Sequence, residues 1–150
     1  MSLFVKNVTN KRLVIKVGTS TLTHETGRLN LRNLDRLART LSDLEGMGHE
    51  VILVSSGAIG VGTTKLGLSE RPTELRMKQA AAAVGQCMLM HLYDKLFGEY
   101  NRVVAQILLT GEDVESPVRA EHLRNTFESL LEMGVIPVVN ENDSVSSAEI

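Results

Sequence analysis

Very little in this sequence can stack, cross-link or carry charge of one sign. Aromatic residues make up 3% of it and tryptophan is absent, which removes the stacking platforms that single-stranded nucleic acid needs. There is one cysteine, Cys87. That excludes an intrachain disulfide framework and fits a reducing compartment. Set among Ala, Val and Met, Cys87 is expected to be a buried, unreactive thiol. The net charge is −2, with basic and acidic residues interspersed, so there is neither a basic patch nor an acidic tail. No run approaches the roughly 20 apolar residues of a membrane helix, and Met1–Asn7 carries no apolar signal region. The expectation is a cytoplasmic protein with no nucleic-acid partner, no membrane partner and no residue assigned to a metal.

What is present is glycine and branched aliphatics in a telling order. Val51–Gly62 reads Val-Ile-Leu-Val-Ser-Ser-Gly-Ala-Ile-Gly-Val-Gly. Four apolar residues read as a strand buried on both faces. Ser-Ser-Gly then marks a tight turn into a helix. In an open α/β sheet that carboxyl end is where ligands sit. Gly57 lets the backbone approach a ligand, and free N–H groups at the helix start favour an anion. A plain glycine-rich turn fits the same residues.

Arg12–Val17 is an earlier strand that runs into Gly18-Thr19-Ser20-Thr21. Lys16, near its end, can reach over the Gly18 turn to a phosphate, or can extend to solvent from an edge. Thr21–Leu29 reads as a polar loop. Asn30 can cap a helix whose Leu31, Leu34, Leu37, Leu41 and Leu44 recur at helical spacing. Ala58–Leu66 is a short, glycine-interrupted helix. The longest helix spans Thr73 to about Phe97, with Thr73 as its cap. Within it, Gln79–Gln86 is a run of very small side chains that allows a tight helix crossing. Arg102–Leu109 and Val135–Val139 are further strands, and Ser116-Pro117 starts a helix between them. Pro137 lacks an amide donor, so pairing there is expected on one side only, or a bulge. The last strand ends in Asn140-Glu141-Asn142-Asp143-Ser144 and is expected to lie exposed.

Strands alternating with helices imply an α/β fold, a mostly parallel sheet sandwiched between helices with right-handed crossovers. Three strand ends carry polar, glycine-rich segments: Gly18–Thr21, Ser55–Gly62 and Asn140–Ser144. In a parallel sheet they share one edge and can line one cleft. The chain stops at Ala148-Glu149-Ile150 directly after a polar loop, and the expectation is a domain truncated at its C-terminus.

Five segments together resemble the glutamate 5-kinase branch of the amino acid kinase family. They are Val-Ile-Lys-Val-Gly-Thr-Ser at 14–20, Val-Ser-Ser-Gly-Ala-Ile at 54–59, Gln-Ala-Ala-Ala-Ala-Val-Gly-Gln at 79–86, Gln-Ile-Leu-Leu-Thr at 106–110 and Pro-Val-Val-Asn-Glu-Asn-Asp at 137–143. The resemblance implies transfer of the ATP γ-phosphoryl group, with Mg²⁺, to the side-chain carboxylate of L-glutamate, the first step of proline biosynthesis. It implies that Lys16 stabilises the moving phosphoryl group and that Gly18 and Thr19 offer N–H groups to phosphate. It implies that Ser56, Gly57 and Asp143 bind glutamate, with Asn140 and Asn142 beside them. The resemblance also implies a homo-oligomer and proline as a feedback inhibitor. Residues 1–150 would be the N-terminal, acceptor-binding portion of that domain, inactive alone without the nucleotide-binding half. A kinase with another acceptor such as acetylglutamate, or a catalytically dead binding or regulatory module, would share these motifs.

Overall fold

In the computed structural model, residues 9–146 are described; Met1–Asn7 and the ending at Ala148-Glu149-Ile150 lie outside them. The apolar runs form four strands: β1 (Arg12–Lys16), β2 (Glu50–Val54), β3 (Val104–Leu109) and β4 (Ile136–Glu141). All pairings are parallel and the spatial order is β1-β2-β4-β3. Its place in the chain led us to expect an exposed last strand; the structure instead buries β4 inside the sheet. It fills the gap between β2 and β3, and among the described residues the edges are β1 and β3.

Pro137 shows how a proline is tolerated there. Ile136 donates to Val103 on the β3 side, and alternation turns the nitrogen of Pro137 toward β2. Pairing with β2 begins only at Leu53↔Val138, so no ladder bond is lost. One-sided pairing at Pro137 is what the missing donor required.

Six helical segments connect the strands. A single turn, α1 (Thr19–Leu22), interrupts what reads in sequence as loop, and Thr23 then bridges Leu29. Helix α2 (Leu31–Gly46) is capped by Asn30, whose side chain accepts from the Asn33 N–H. Such caps contribute about 1 kcal/mol. Helix α3 (Ala58–Lys65) follows the Ser-Ser-Gly turn, and α4 (Leu75–Glu99) is the longest helix. Thr73 does not cap α4; Glu74 takes the cap position through its backbone, accepting from the Lys78 N–H. The short α5 (Gly111–Glu115) starts with a reciprocal Thr110–Asp113 capping box, which holds the Asp113 carboxyl below its usual range. Helix α6 (Pro117–Glu132) begins at Ser116-Pro117 as expected.

Two crossovers run in one direction across the sheet and the third runs back. Right-handedness then puts α2, α3 and α4 on one face and α6 on the other. The main core lies on the first face, where Leu34, Leu41, Val51, Leu53, Leu89, Phe97, Ile136 and Val138 are all buried. The crossing of α3 on α4 is made by glycines. A Cβ placed on Gly62 would sit 1.7 Å from the Ala81 carbonyl oxygen, and one on Gly85 would sit 1.7 Å from that of Ala58. The small-residue run in α4 is thus a backbone-to-backbone contact, with its partner surface supplied by α3.

Candidate functional site

The carboxyl ends of β1, β2 and β4 open on one edge of the sheet, and each carries one of the polar segments. On the β1–β2 side, Lys16 is exposed at the end of its strand, opposite Val54. It makes no ion pair among the described residues. Gly18 follows, with open space where a Cβ would lie, and its N–H and that of Thr19 meet no acceptor among the described residues. Ser56 Oγ donates to the Val17 carbonyl at 2.9 Å. That bond ties the end of β2 to the end of β1 and leaves the hydroxyl oxygen free to accept. Gly57 has φ +84°, a left-handed conformation that glycine adopts without a steric cost. Its α-carbon faces Thr19, and a Cβ there would sit 3.3 Å from Thr19 Oγ1.

On the β4 side the strand runs further than the sequence suggested, through Asn140 and Glu141. Asn142 begins the turn, donating its N–H to the Leu109 carbonyl, and its side-chain oxygen accepts from Ser144 Oγ. Asp143 is half-buried. Asn142, Asp143, Ser144 and Glu141 wall a cavity of about 440 Å³, with Ala58, Ala82, Gln86, Met90, Gln106 and Leu108 among its other residues. Ala58 joins the two halves, because it also follows Gly57 at the start of α3.

The structure thus brings Lys16, Gly18, Thr19, Ser56 and Gly57 into one group and Asn142 and Asp143 into an adjoining cavity. Asn140 lies beneath them, 7% exposed. Its Nδ2 donates to Gln86 Oε1 at 2.9 Å and its Oδ1 accepts from the Glu141 N–H at 2.9 Å.

Cys87 is the correction. It is exposed and lines this cavity, not the core. The buried line of α4 runs through Ala81, Ala82, Gly85, Leu89, Tyr93 and Phe97. A residue two positions past Gly85 is turned roughly 200° from it, so Cys87 shares the cleft side with Ala83.

Tyr93 escaped the sequence reading, and Ser55 entered it only as the first residue of a polar segment. Ser55, at the end of β2, is buried, and its Oγ lies 2.8 Å from Tyr93 Oη on α4. Burial pushes the Tyr93 hydroxyl up to about 12, partly offset by the Ser55 bond. The only signal in sequence was the Leu89, Tyr93, Phe97 spacing, which reads as plain core. Tyr93→Phe removes the Ser55 partner and is expected to lower stability by about 1–3 kcal/mol at neutral pH. Because the folded-state value is raised above the unfolded one, the protonated form's advantage is complete below the ordinary tyrosine range. It is lost as pH rises from there through about 12. Urea titrations at several alkaline pH values should show that loss in the unaltered protein and a shallower one in Tyr93→Phe.

The sequence profile of the amino acid kinase family matches residues 11–150, and the chain belongs to that family. Within it, the chain is 57% identical over 141 residues to a glutamate 5-kinase of Clostridium perfringens, covering 94% of this chain and 52% of that protein. It is 58% identical to a glutamate 5-kinase of Listeria innocua, covering 94% and 51%. It is 54% identical over 147 residues to one of Clostridium acetobutylicum, covering 98% and 54%. The chain spans about half the length of the curated relatives it matches. Its fold is also that of the UMP kinase from Ureaplasma parvum, with a TM-score of 0.58 over 88% of this chain and 56% of the other, at 11% identity. That likeness concerns the fold alone.

Proposed function

We propose that this chain supplies the acceptor-binding side of an ATP-dependent kinase that phosphorylates the side-chain carboxylate of L-glutamate. The observation that carries the reading is the division of the sheet edge. A lysine and backbone N–H groups with no partner among the described residues lie at the β1 end, and a carboxylate-lined cavity lies beyond β4. The chain's identity with glutamate 5-kinases extends across both.

The chemistry asks little covalent work of the protein. A carboxylate oxygen of glutamate attacks the γ-phosphorus, the bond to the β-phosphate oxygen breaks, and ADP leaves. The attacking carboxylate is already ionised, so no general base is required. Catalysis is positioning plus neutralisation of charge on the phosphoryl oxygens. Lys16 is the cation for that charge, with the Gly18 and Thr19 N–H groups as further donors. Asp143 suits the substrate ammonium. Ser56 and Gly57, at the end of β2, would bind glutamate between the lysine and Asp143. Among the described residues no three His, Cys, Asp or Glu side chains gather around one point. The magnesium that a kinase of this family implies would neutralise charge on the nucleotide phosphates.

The test is ADP release by the full-length protein bearing this sequence, with Mg²⁺-ATP and a panel of acceptors. Release that depends on L-glutamate is expected. Release with acetylglutamate, aspartate, carbamate or UMP would replace the substrate and keep the phosphate chemistry. Release with none would make the cleft a binding or regulatory site.

A further inference from the structure

One wall of the cleft has no part in that chemistry, yet its hydrogen bonds have a direction. The backbone N–H of Glu141 can only donate, and it donates to Asn140 Oδ1 at 2.9 Å. Asn140 must then turn its Nδ2 the other way, where it donates to Gln86 Oε1 at 2.9 Å. Gln86 presents its own Nε2 to Gln106, whose Oε1 accepts at 3.2 Å. Flipping any one amide would set oxygen against oxygen or nitrogen against nitrogen at these distances. The polarity of all three side chains thus follows from one main-chain donor. At the end of the chain Gln106 is left with an NH₂ group. It has no acceptor among the described residues, on an exposed side chain at the cavity wall.

We propose that Gln106 is a specificity-determining residue of the cleft: its side-chain NH₂ donates to a carboxylate of an amino-acid ligand, with that polarity imposed through Gln86 and Asn140. The same cavity carries the Glu141 and Asp143 carboxylates, which suit an ammonium group, and Leu108 and Met90, which suit methylenes. A donor on one wall and acceptors on another match a zwitterion. The sheet order adds which carboxylate this is. Lys16 lies on edge strand β1 and Gln106 on the opposite edge strand β3, three strand spacings or roughly 14 Å apart. Gln106 therefore holds the carboxylate farther from the phosphoryl group, and the one that reacts points toward Lys16. This rests on the glutamate reading above and adds a residue and an orientation to it.

The experiment measures L-glutamate binding by calorimetry and glutamate-dependent ADP release in the full-length protein bearing this sequence. Gln106→Glu keeps the size and removes the donor. It is expected to raise Kd and KM for glutamate about tenfold or more, with kcat and the KM for ATP within about twofold. Gln86→Met leaves Gln106 in place but frees its amide to turn, and a smaller rise of about threefold is expected. Unchanged glutamate affinity in Gln106→Glu overturns the proposal, as does a loss in kcat alone. If the unaltered protein shows neither glutamate binding nor glutamate-dependent release, the acceptor reading fails and this proposal fails with it. If the unaltered protein responds and Gln106→Glu matches it, only the proposal fails.

Discussion

Gly85→Ala will leave little folded protein. The added methyl would lie 1.7 Å from the Ala58 carbonyl oxygen and 2.7 Å from the Gly62 nitrogen. Both are main-chain atoms, so no flexible side chain can move aside. Helices α3 and α4 would have to part, and parting them opens the core on the principal face of the sheet. Overpacking in a core ordinarily lowers stability by about 1–3 kcal/mol. Here the clash is with backbone on both sides, and the expected loss is above about 3 kcal/mol, a large share of the roughly 5–15 kcal/mol available to a domain. Gly62→Ala, with its Cβ 1.7 Å from the Ala81 carbonyl oxygen, should behave alike. Gly60→Ala is the control. It lies in the same helix with nothing within 4 Å of its added carbon, and better helix propensity should stabilise it by up to about 1 kcal/mol. Urea midpoints of the three variants decide the matter. A Gly85→Ala midpoint equal to the unaltered one would show that the helices separate freely.

The second large effect concerns chemistry alone. Lys16→Ala should reduce glutamate-dependent ADP release by about 10²–10³-fold, the range seen when one preorganised charge-stabilising group is removed. The side chain is exposed and makes no ion pair among the described residues, so the circular dichroism and thermal midpoint should stay as they were. Lys16→Arg retains the charge but replaces a compact ammonium by a planar fork. It should recover only part of the rate. Full activity in Lys16→Ala would remove the lysine from the reaction and leave the phosphoryl charge to other groups.

Much of this was legible in the residues. The four apolar runs became strands within a residue or two, because β-branched runs ended by glycine, serine or asparagine have few other local solutions. The Asn30 cap and the Ser116-Pro117 start appeared as written, since both act within one turn. The convergence of three polar segments followed once the sheet was taken as parallel. What stayed hidden depended on neighbours distant in sequence. Nothing local says that the last strand enters between β2 and β3. Cys87 looked buried because its sequence neighbours are apolar, yet its helical direction sets its exposure. Gln106 sits in an apolar run, and its role shows only once Gln86 and Asn140 lie beside it. The small-residue run of α4 announced a close crossing, but the glycine that meets it lies in another helix.

The position of β4 also governs how the molecule can be assembled over time. A ribosome releasing the chain from its N-terminus frees β1 and β2 early, and they can zip together around α2. Strand β3 emerges next with no neighbour, because the strand that joins it to β2 is the last of the four. Until residues 136–141 are out, the facing edges of β2 and β3 stay open, with their amides and carbonyls available to any extended segment. Among the described strands, the gap between β2 and β3 closes in one late step that links the two halves, and with it the cleft gains its carboxylates. A nascent chain halted before Ile136 would present two unsatisfied strand edges at once, the form in which this fold is most exposed to mispairing.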